Sequence, residues 1–269
     1  MAVEHFIQTI WSKSIQDDLE TQCKLVPNCL TKYEGDCKQA STVKILGVGE
    51  PTIVDYQRNK GYAPEYMSDV GQELVIDQAK AFFFYVDDID EAQSVPGLRE
   101  EYQRKATHKL AVAADTYVGQ LIKGAENSTT AEDNTGDGIK NAIDEGLVEL
   151  RERDFDEEGV IEITPFVYSK FKNHLITLST NNPEYIKKGI VGMYDGFEVV
   201  MSNNLAKDAT HAYCDIRGKK AIAFAGQINE VEALRAHDRF ADVVRGLYCF
   251  GAKIIDEDRI QGIKVPLVA

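Results

Sequence analysis

The sequence has little that points to catalysis. Its five histidines, His5, His108, His174, His211 and His237, are scattered, with no HxH or HxxxH pair among them. It has no Gly-x-Ser-x-Gly elbow and no Walker loop, so neither an activated serine nor a cradled phosphate is signalled. The cysteines are Cys23, Cys29, Cys37, Cys214 and Cys249, an odd number, and the first three are separated by five and seven intervening residues. Those gaps fit no zinc pattern, and reduced structural thiols in a cytoplasm are the simplest expectation. A basic leader followed by an apolar stretch is missing, and no apolar run approaches the ~18–20 residues that cross a bilayer. Neither a signal peptide nor a membrane span is therefore expected. Positive charge is also short: 30 Lys and Arg stand against 44 Asp and Glu, a formal net charge of −14. Tight, sequence-independent binding of nucleic acid needs clustered Lys and Arg, and an anionic membrane surface would repel such a chain. Internal repeats and low-complexity tracts are absent too.

What is present is an ordinary globular composition, with 43% hydrophobic and 28% charged residues in 269, enough for one large or two modest domains with a real core. Ala81–Gly124 organises it. An apolar strand, Ala81 to Val86, runs into an acidic knot of Asp87, Asp88, Asp90 and Glu91. A long helix then spans about Gly97 to Lys123. Leu98, Tyr102, Ala106, Leu110, Ala113, Tyr117 and Leu121 recur at helical spacing and predict its buried face. An Asp at Ala113 should then destabilise the subunit, through an unpaired buried charge. At 1.5 Å per residue the helix is roughly 40 Å long. The knot could be a carboxylate cluster for a metal or for acid–base work, but acidic residues also suit the positive end of a helix dipole, which needs no further partner.

The flanks read as follows. Phe6, Ile7, Ile10, Trp11, Ile15 and Leu19 mark an amphipathic helix, docked either on its own core or on a neighbouring subunit. Residues 41–86 read as β. Val43, Ile45 and Val48 make one strand, broken by Gly47 and Gly49, and Thr52–Tyr56 makes a second. A polar turn with a basic tip, residues 57–64, follows, and Glu73–Ile76 and Phe82–Val86 bring the chain back. A lone projecting hairpin is marginal in water, so it should lie on something. Beyond the long helix come a polar loop at 125–130, a helix with Ile139, Ile143, Leu147 and Leu150 on one face capped by Thr135 or Asp137, a strand Val160–Ile163, and a helix Phe166–Leu178 opened by Thr164-Pro165. Asp195-Gly196 between apolar runs predicts a hairpin. Ala212–Ile216, Arg217-Gly218 and Ala221–Ala225 suggest another. Leu247–Phe250 and Lys253–Ile255 form a late strand, and Ile263–Leu267 a terminal one.

Three local patterns invite chemistry and fit something plainer. Asp133 to Gly138 looks like half an EF-hand loop, but position three is Thr135 and position twelve is Asp144; a polar helix cap accounts for it. Gly47-Val48-Gly49 lacks the third glycine and the helix of a nucleotide loop. Asn127-Ser128-Thr129 is a glycosylation sequon that matters only to a secreted chain. No catalytic residue, cofactor site or metal site is assigned.

Three stretches carry a resemblance. They are Gly49–Tyr56; Phe84–Gln93, the passage into the long helix; and Ala221–Ala233 followed by Arg239–Lys253, which contains Arg239-Phe240-Ala241-Asp242. In this order and combination the chain resembles the major capsid proteins of tailed bacteriophages, with the Hong Kong ninety-seven-type coat fold, from about residue 40 to about residue 265. The resemblance implies an α+β fold: an N-terminal arm at 1–40, an extended β-hairpin loop at 41–86, a peripheral domain with its spine helix at 87–136, an axial α/β domain at 137–220, and closing strands shared with the peripheral domain at 221–269. It implies a structural protein rather than an enzyme, assembling as hexamers and pentamers into an icosahedral shell around double-stranded DNA. The shell would form in the bacterial host cytoplasm and end as the virion capsid.

Further expectations follow from it. Arg58, Lys60, Tyr62 and Arg239 become subunit-contact candidates. Only about 40 residues precede the hairpin, which leaves room for a separate scaffolding protein, with a portal as a further partner. Contact with packaged DNA would be weak and non-specific, and no membrane is involved. Some family members crosslink a loop Lys to a neighbour's Asn; Lys60 and Asn229 are the positions to consider, but no motif makes that pair specific. Two rivals remain. One is an encapsulin-like cargo compartment sharing the fold, and the other is a soluble α/β enzyme or ligand-binding protein with an inserted hairpin.

Overall fold

The structure, a computed structural model, describes residues 19, 22–32, 42–48, 53, 55–56, 58, 61, 69–87, 98–172, 190–235 and 240–267. Two strands open it. β1 (Thr42–Val48) pairs antiparallel with β2 (Asp69–Val75), from Thr42 opposite Val75 out to Val48 opposite Asp69. The strand runs through Gly47 without a break. The expected second strand at Thr52–Tyr56 is corrected: Ile53, Asp55 and Tyr56 lie in no strand, and β2 takes the place opposite β1. Val43, Ile45 and Leu74 at the base of this ladder pack on Ala223 and Ala225.

The chain then changes sheets. β3 (Gln78–Asp87) joins β10 (Ala241–Ile254) and β9 (Ile222–Arg235) in the order β3-β10-β9, antiparallel throughout. Helix α1 (Leu98–Ile122) follows and packs on this sheet. It is 25 residues long, roughly 37 Å at 1.5 Å per residue.

A second layer system lies beyond α1. Six strands stand in the order β4-β11-β8-β5-β7-β6: β4 (Ser128–Thr130), β5 (Gly159–Ile163), β6 (Ile190–Tyr194), β7 (Phe197–Met201), β8 (His211–Gly218) and β11 (Ile260–Pro266). Helices α2 (Gly136–Glu152) and α3 (Pro165–Phe171) contribute to its core. Thr135 caps α2, its hydroxyl accepting from Gly138 N at 3.1 Å, and Thr164 caps α3 in the same way ahead of Pro165. Asp133 accepts from the amide and hydroxyl of Thr135 at 2.9 and 2.6 Å, so the half EF-hand pattern forms a cap. The Asp195-Gly196 hairpin has φ of 49° and 89° at its two turn residues, the left-handed pair that a two-residue turn requires.

Further expectations need correction. Part of the polar loop at 125–130 is strand, because Ser128–Thr130 pairs parallel with Gly262–Lys264. The hairpin expected across Arg217-Gly218 does not form: β8 pairs with β11 and β5, whereas β9 pairs with β10. Gly218–Ala221 is the passage between the two sheets, closed by an Ala221 N to Gly218 O bond at 3.1 Å. The predicted face of α1 is also rotated. The buried positions are Thr107, Leu110, Ala111, Ala114, Asp115, Val118 and Ile122, while Tyr102 is exposed and Ala113 half-buried. Small residues on both sides of the helix blurred the apolar stripe, and one carboxylate sits in it. The early amphipathic residues Phe6–Ile15, the knot residues Asp88, Asp90 and Glu91, and residues 173–178 of the expected third helix lie outside the described residues.

Candidate functional site

Two features stand out as places where this chain could engage others: a clamped N-terminal segment and an exposed sheet face.

The segment at residues 23–30 meets α1 and both larger sheets. Asp115, projecting from α1, accepts backbone N–H bonds from Lys24, Leu25 and Val26 at 2.9, 3.1 and 3.2 Å, and one from the Asn204 side-chain amide at 3.2 Å. Burial raises the pKa of this carboxyl, and the four donors pull it part of the way back. Close approach here also demands Gly119, because a Cβ would stand 2.5 Å from the Asn204 carbonyl oxygen. Farther along, Leu30 joins the edge of β9, its N–H donating to Ile222 O at 2.8 Å and its carbonyl accepting from Phe224 N at 3.0 Å.

Arg217 holds the segment from the other side. Fully buried, its guanidinium donates to Asn28 O at 2.7 Å, Leu25 O at 3.2 Å and Glu162 Oε1 at 2.8 Å. The Asn28 side chain donates to the same Glu162 oxygen at 2.8 Å. Arg217 Nε lies 3.0 Å from Asp215 Oδ2, within ion-pair reach but without hydrogen-bond alignment. Glu162 and Asp215 thus face one buried cation, and removing surplus negative charge from water is costly. Burial, then repulsion from Glu162, drives the Asp215 carboxyl well above its ordinary range. Burial raises Glu162 as well. Burial pulls Arg217 down, but Glu162, Cys29 and Asp215 more than offset it, and it stays charged. The Cys29 thiol is pushed up to about 11 by burial, which makes it inert.

The exposed face belongs to the sheet β3-β10-β9. Strand alternation turns Phe82 and Phe84 toward α1, with Phe84 stacked on Tyr102 at 5.8 Å, and turns Phe83 and Tyr85 outward. Phe83 is 75% exposed and Tyr85 52%. The register sets Ala81 opposite Leu247, Phe83 opposite Arg245, Tyr85 opposite Val243, and Val243 opposite Leu234. Leu234 and Leu247 are exposed, as is Phe240 in the bend after β9. Ile53 and Tyr56, beyond the far end of the β1–β2 ladder, stand 95% and 81% exposed. Large apolar side chains exposed together on one sheet face make it a candidate contact region.

Of the four residues expected to make contacts, Arg58 is an exposed turn residue in the stretch beyond that ladder. Lys60, Tyr62 and Arg239 lie outside the described residues. The clamp was missed in the sequence, although each member left a trace there. Glu162 interrupts the apolar run Val160-Ile161-Glu162-Ile163, Asp115 follows Ala113-Ala114, and Arg217-Gly218 has the look of a turn.

Comparison with solved structures places this architecture. A chain in the structure of Mycobacterium phage Che8 is 26% identical, with a TM-score of 0.68 over 88% of this chain and 89% of that one. The capsid structure of the Cyanophage P-SCSP1u gives 14% identity and a TM-score of 0.67, over 85% and 84%. A virus-like particle from Pyrococcus furiosus gives 11% and 0.58, over 96% and 99%. No protein-family model and no curated protein matches the chain. The chain has the tailed-phage major capsid protein fold, and bacteriophage capsids are its structural neighbours.

Proposed function

We propose that the chain is the major capsid protein of a tailed phage or prophage, assembling into an icosahedral shell of hexamers and pentamers around double-stranded DNA. The observation that carries this reading is the likeness to phage chains over more than four-fifths of its length. The role is structural rather than enzymatic. Residues 1–40 serve as an arm, 41–86 as the extended loop, 87–136 as a peripheral domain with α1 as its spine, 137–220 as the axial domain, and 221–269 as the closing strands.

The surfaces suit such a role. One chain that occupies both hexamers and pentamers needs heterologous contacts that close at slightly different angles. A ladder that projects with Ile53, Tyr56 and Arg58 exposed, resting on a neighbour's Phe83–Leu247 face, supplies area without stiff coupling. Arg58, Lys60, Tyr62 and Arg239 are the polar contacts assigned to that interface. The clamp at Asp115 and Arg217 fixes the root of the arm. Assembly takes place in the host cytoplasm, with a separate scaffolding protein and a portal as partners.

A second reading is favoured by the likeness to the Pyrococcus furiosus virus-like particle. It is a cargo compartment of the encapsulin type, built from the same fold. Electron microscopy of the purified chain, alone and co-expressed with neighbouring genes, tests both. Closed shells of uniform curvature are expected, filled with DNA through a portal in the first case and with an enzyme in the second. Monodisperse small oligomers under all conditions would refute the shell reading.

A further inference from the structure

Glu162 and Asp215 stand directly opposite each other across the antiparallel β5–β8 ladder, and both side chains are fully enclosed. Opposed side chains on one face of such a pair have Cβ atoms about 4.5–5.5 Å apart, and like charges there repel. Out of water, two carboxylates at that spacing do not both ionise; they hold one proton between them until solution removes it. Arg217, two residues along β8 from Asp215, shares their face and is the cation that both address.

The same guanidinium holds the N-terminal segment. Nη1 donates to Asn28 O at 2.7 Å, and Nη2 donates to Leu25 O at 3.2 Å and to Glu162 Oε1 at 2.8 Å. Nε stands 3.0 Å from Asp215 Oδ2 without the alignment of a hydrogen bond. A small turn of the guanidinium would satisfy Asp215 at the expense of the two carbonyls. Those carbonyls bound one tight turn, in which Asn28 N donates to Leu25 O at 3.1 Å and Cys29 N to Val26 O at 2.9 Å, ahead of the bonds from Leu30 to β9.

The surrounding groups do not relieve the pair. β11 sets uncharged Ile260 and Gly262 opposite Arg217 and Asp215. β7 brings Glu198, opposite Val160 and half-buried, which adds negative charge. α1 brings Asp115, whose oxygens accept from the amides of Lys24, Leu25 and Val26 and from Asn204. The segment brings the Cys29 thiol, 3.5 Å from Nη1 and kept protonated by burial. Lys24 directs its ammonium to Met201 O at 3.5 Å rather than to the pair. Cys214, the neighbour of Asp215 on β8, lies on the opposite face, in the core with α2.

We propose that Glu162 and Asp215 form a proton-gated latch for the turn at residues 25–30. With one proton between them, Asp215 leaves the guanidinium to the carbonyls of the turn. When that proton passes to a base in solution, ionised Asp215 draws the guanidinium to itself, and the turn detaches. Burial raises both carboxyls, and repulsion from Glu162 raises Asp215 further. The docked turn thus keeps a proton that the detached one, with its carboxylates in water, releases. Docking is complete at low pH and is lost as pH rises through the docked value.

Amide hydrogen exchange of the full chain, resolved by residue and corrected for the intrinsic pH dependence of exchange, tests this between about pH 6 and about pH 10. Wild-type protection at Cys29 and Leu30 should fall roughly tenfold or more across that range, since one linked proton allows up to about tenfold per pH unit. Protection at Ile143, in the core of α2, should stay constant. Asp215→Asn, neutral at every pH, should keep Cys29 and Leu30 equally protected throughout. Glu162→Gln serves if that variant does not fold: Asp215 then has Arg217 to itself and stays ionised, and the pH dependence should vanish again. Wild-type protection at Cys29 and Leu30 that does not change with pH overturns the proposal, as does a fall that either folded variant reproduces. A fall shared by Ile143 overturns it too, because the whole chain is then opening rather than the turn.

Discussion

The two long helices among the described residues solve different problems. α2 buries Ile139, Ala142, Ile143, Gly146, Leu147 and Leu150 and turns Asp137, Glu145, Glu149 and Glu152 to solvent. Its buried side is apolar and its exposed side mostly acidic. α1 differs: its buried side holds Asp115 and Thr107 among Leu110, Ala111, Ala114, Val118 and Ile122, and its exposed side carries Arg104, Lys105, His108 and Lys109. α2 needs only a sheet to lie on. α1 must also receive the chain segment at 23–30, whose free N–H groups require an acceptor inside the core. A helix that serves as a joint trades amphipathic clarity for a polar clamp.

The largest effects should come from breaking the α1 side. Ala114 is fully buried beside the N-terminal segment, and Ala113 is not. Ala114→Asp should cost roughly 4 kcal/mol or more, through an unpaired buried charge and overpacking, whereas Ala113→Asp should cost under about 1 kcal/mol as a half-exposed substitution. Urea unfolding of both variants checks the rotated face. Equal losses would restore the face inferred from periodicity. Arg217→Met leaves Glu162 without its cation and frees the carbonyls of Leu25 and Asn28; a loss of about 3–5 kcal/mol is expected. Hydrogen exchange at Lys24–Val26 should quicken with it.

On the α2 side, Leu147→Ala should cost about 3 kcal/mol through the cavity it leaves. Exchange at Lys24–Val26, referred to the global stability, should not change. Coupled loosening of both regions would mean that the two helices do not anchor separate structures.

The smallest effect concerns protons. Asp215 and Glu162 have folded pKa values raised above their unfolded ones. The folded state then holds a proton that the unfolded state releases. That stability is complete below the ordinary carboxylate range and is lost as pH rises through the folded value. Asp215→Asn imitates the protonated form. Its thermal midpoint should fall less than the wild type's as pH rises, with the difference growing toward the alkaline side. Parallel curves would assign the proton elsewhere.

What could be read from the sequence follows the same division. α2, its Thr135 cap, β5, the Thr164-Pro165 helix start and the Asp195-Gly196 hairpin all rest on local rules, and each stands where those rules put it. The length of α1 was also readable, from about Gly97 to Lys123 against Leu98–Ile122 observed. Its buried face was not, because partners distant in sequence decide it: Lys24 lies 91 residues from Asp115. Arg217 failed for the same reason. Arg-Gly before an apolar run looks like a turn until β8 is paired with β5 and the side chain is enclosed. The outward face of β3 was hidden in an unbroken run, Phe82-Phe83-Phe84-Tyr85, which shows no alternation until α1 covers one side.

The most direct test of the shell reading is the particle mass formed by the wild type and by Phe83→Arg, measured side by side by sedimentation. Phe83 is exposed in the subunit, so the variant should fold with an unchanged thermal midpoint. The wild type should form shells of hundreds of subunits, on the order of several megadaltons for closed icosahedral assemblies, and the folded variant should stay as free subunits or small rings. A wild type that sediments only as a small oligomer, or a variant that assembles as the wild type does, would contradict the assignment of this face to contact between subunits of a shell.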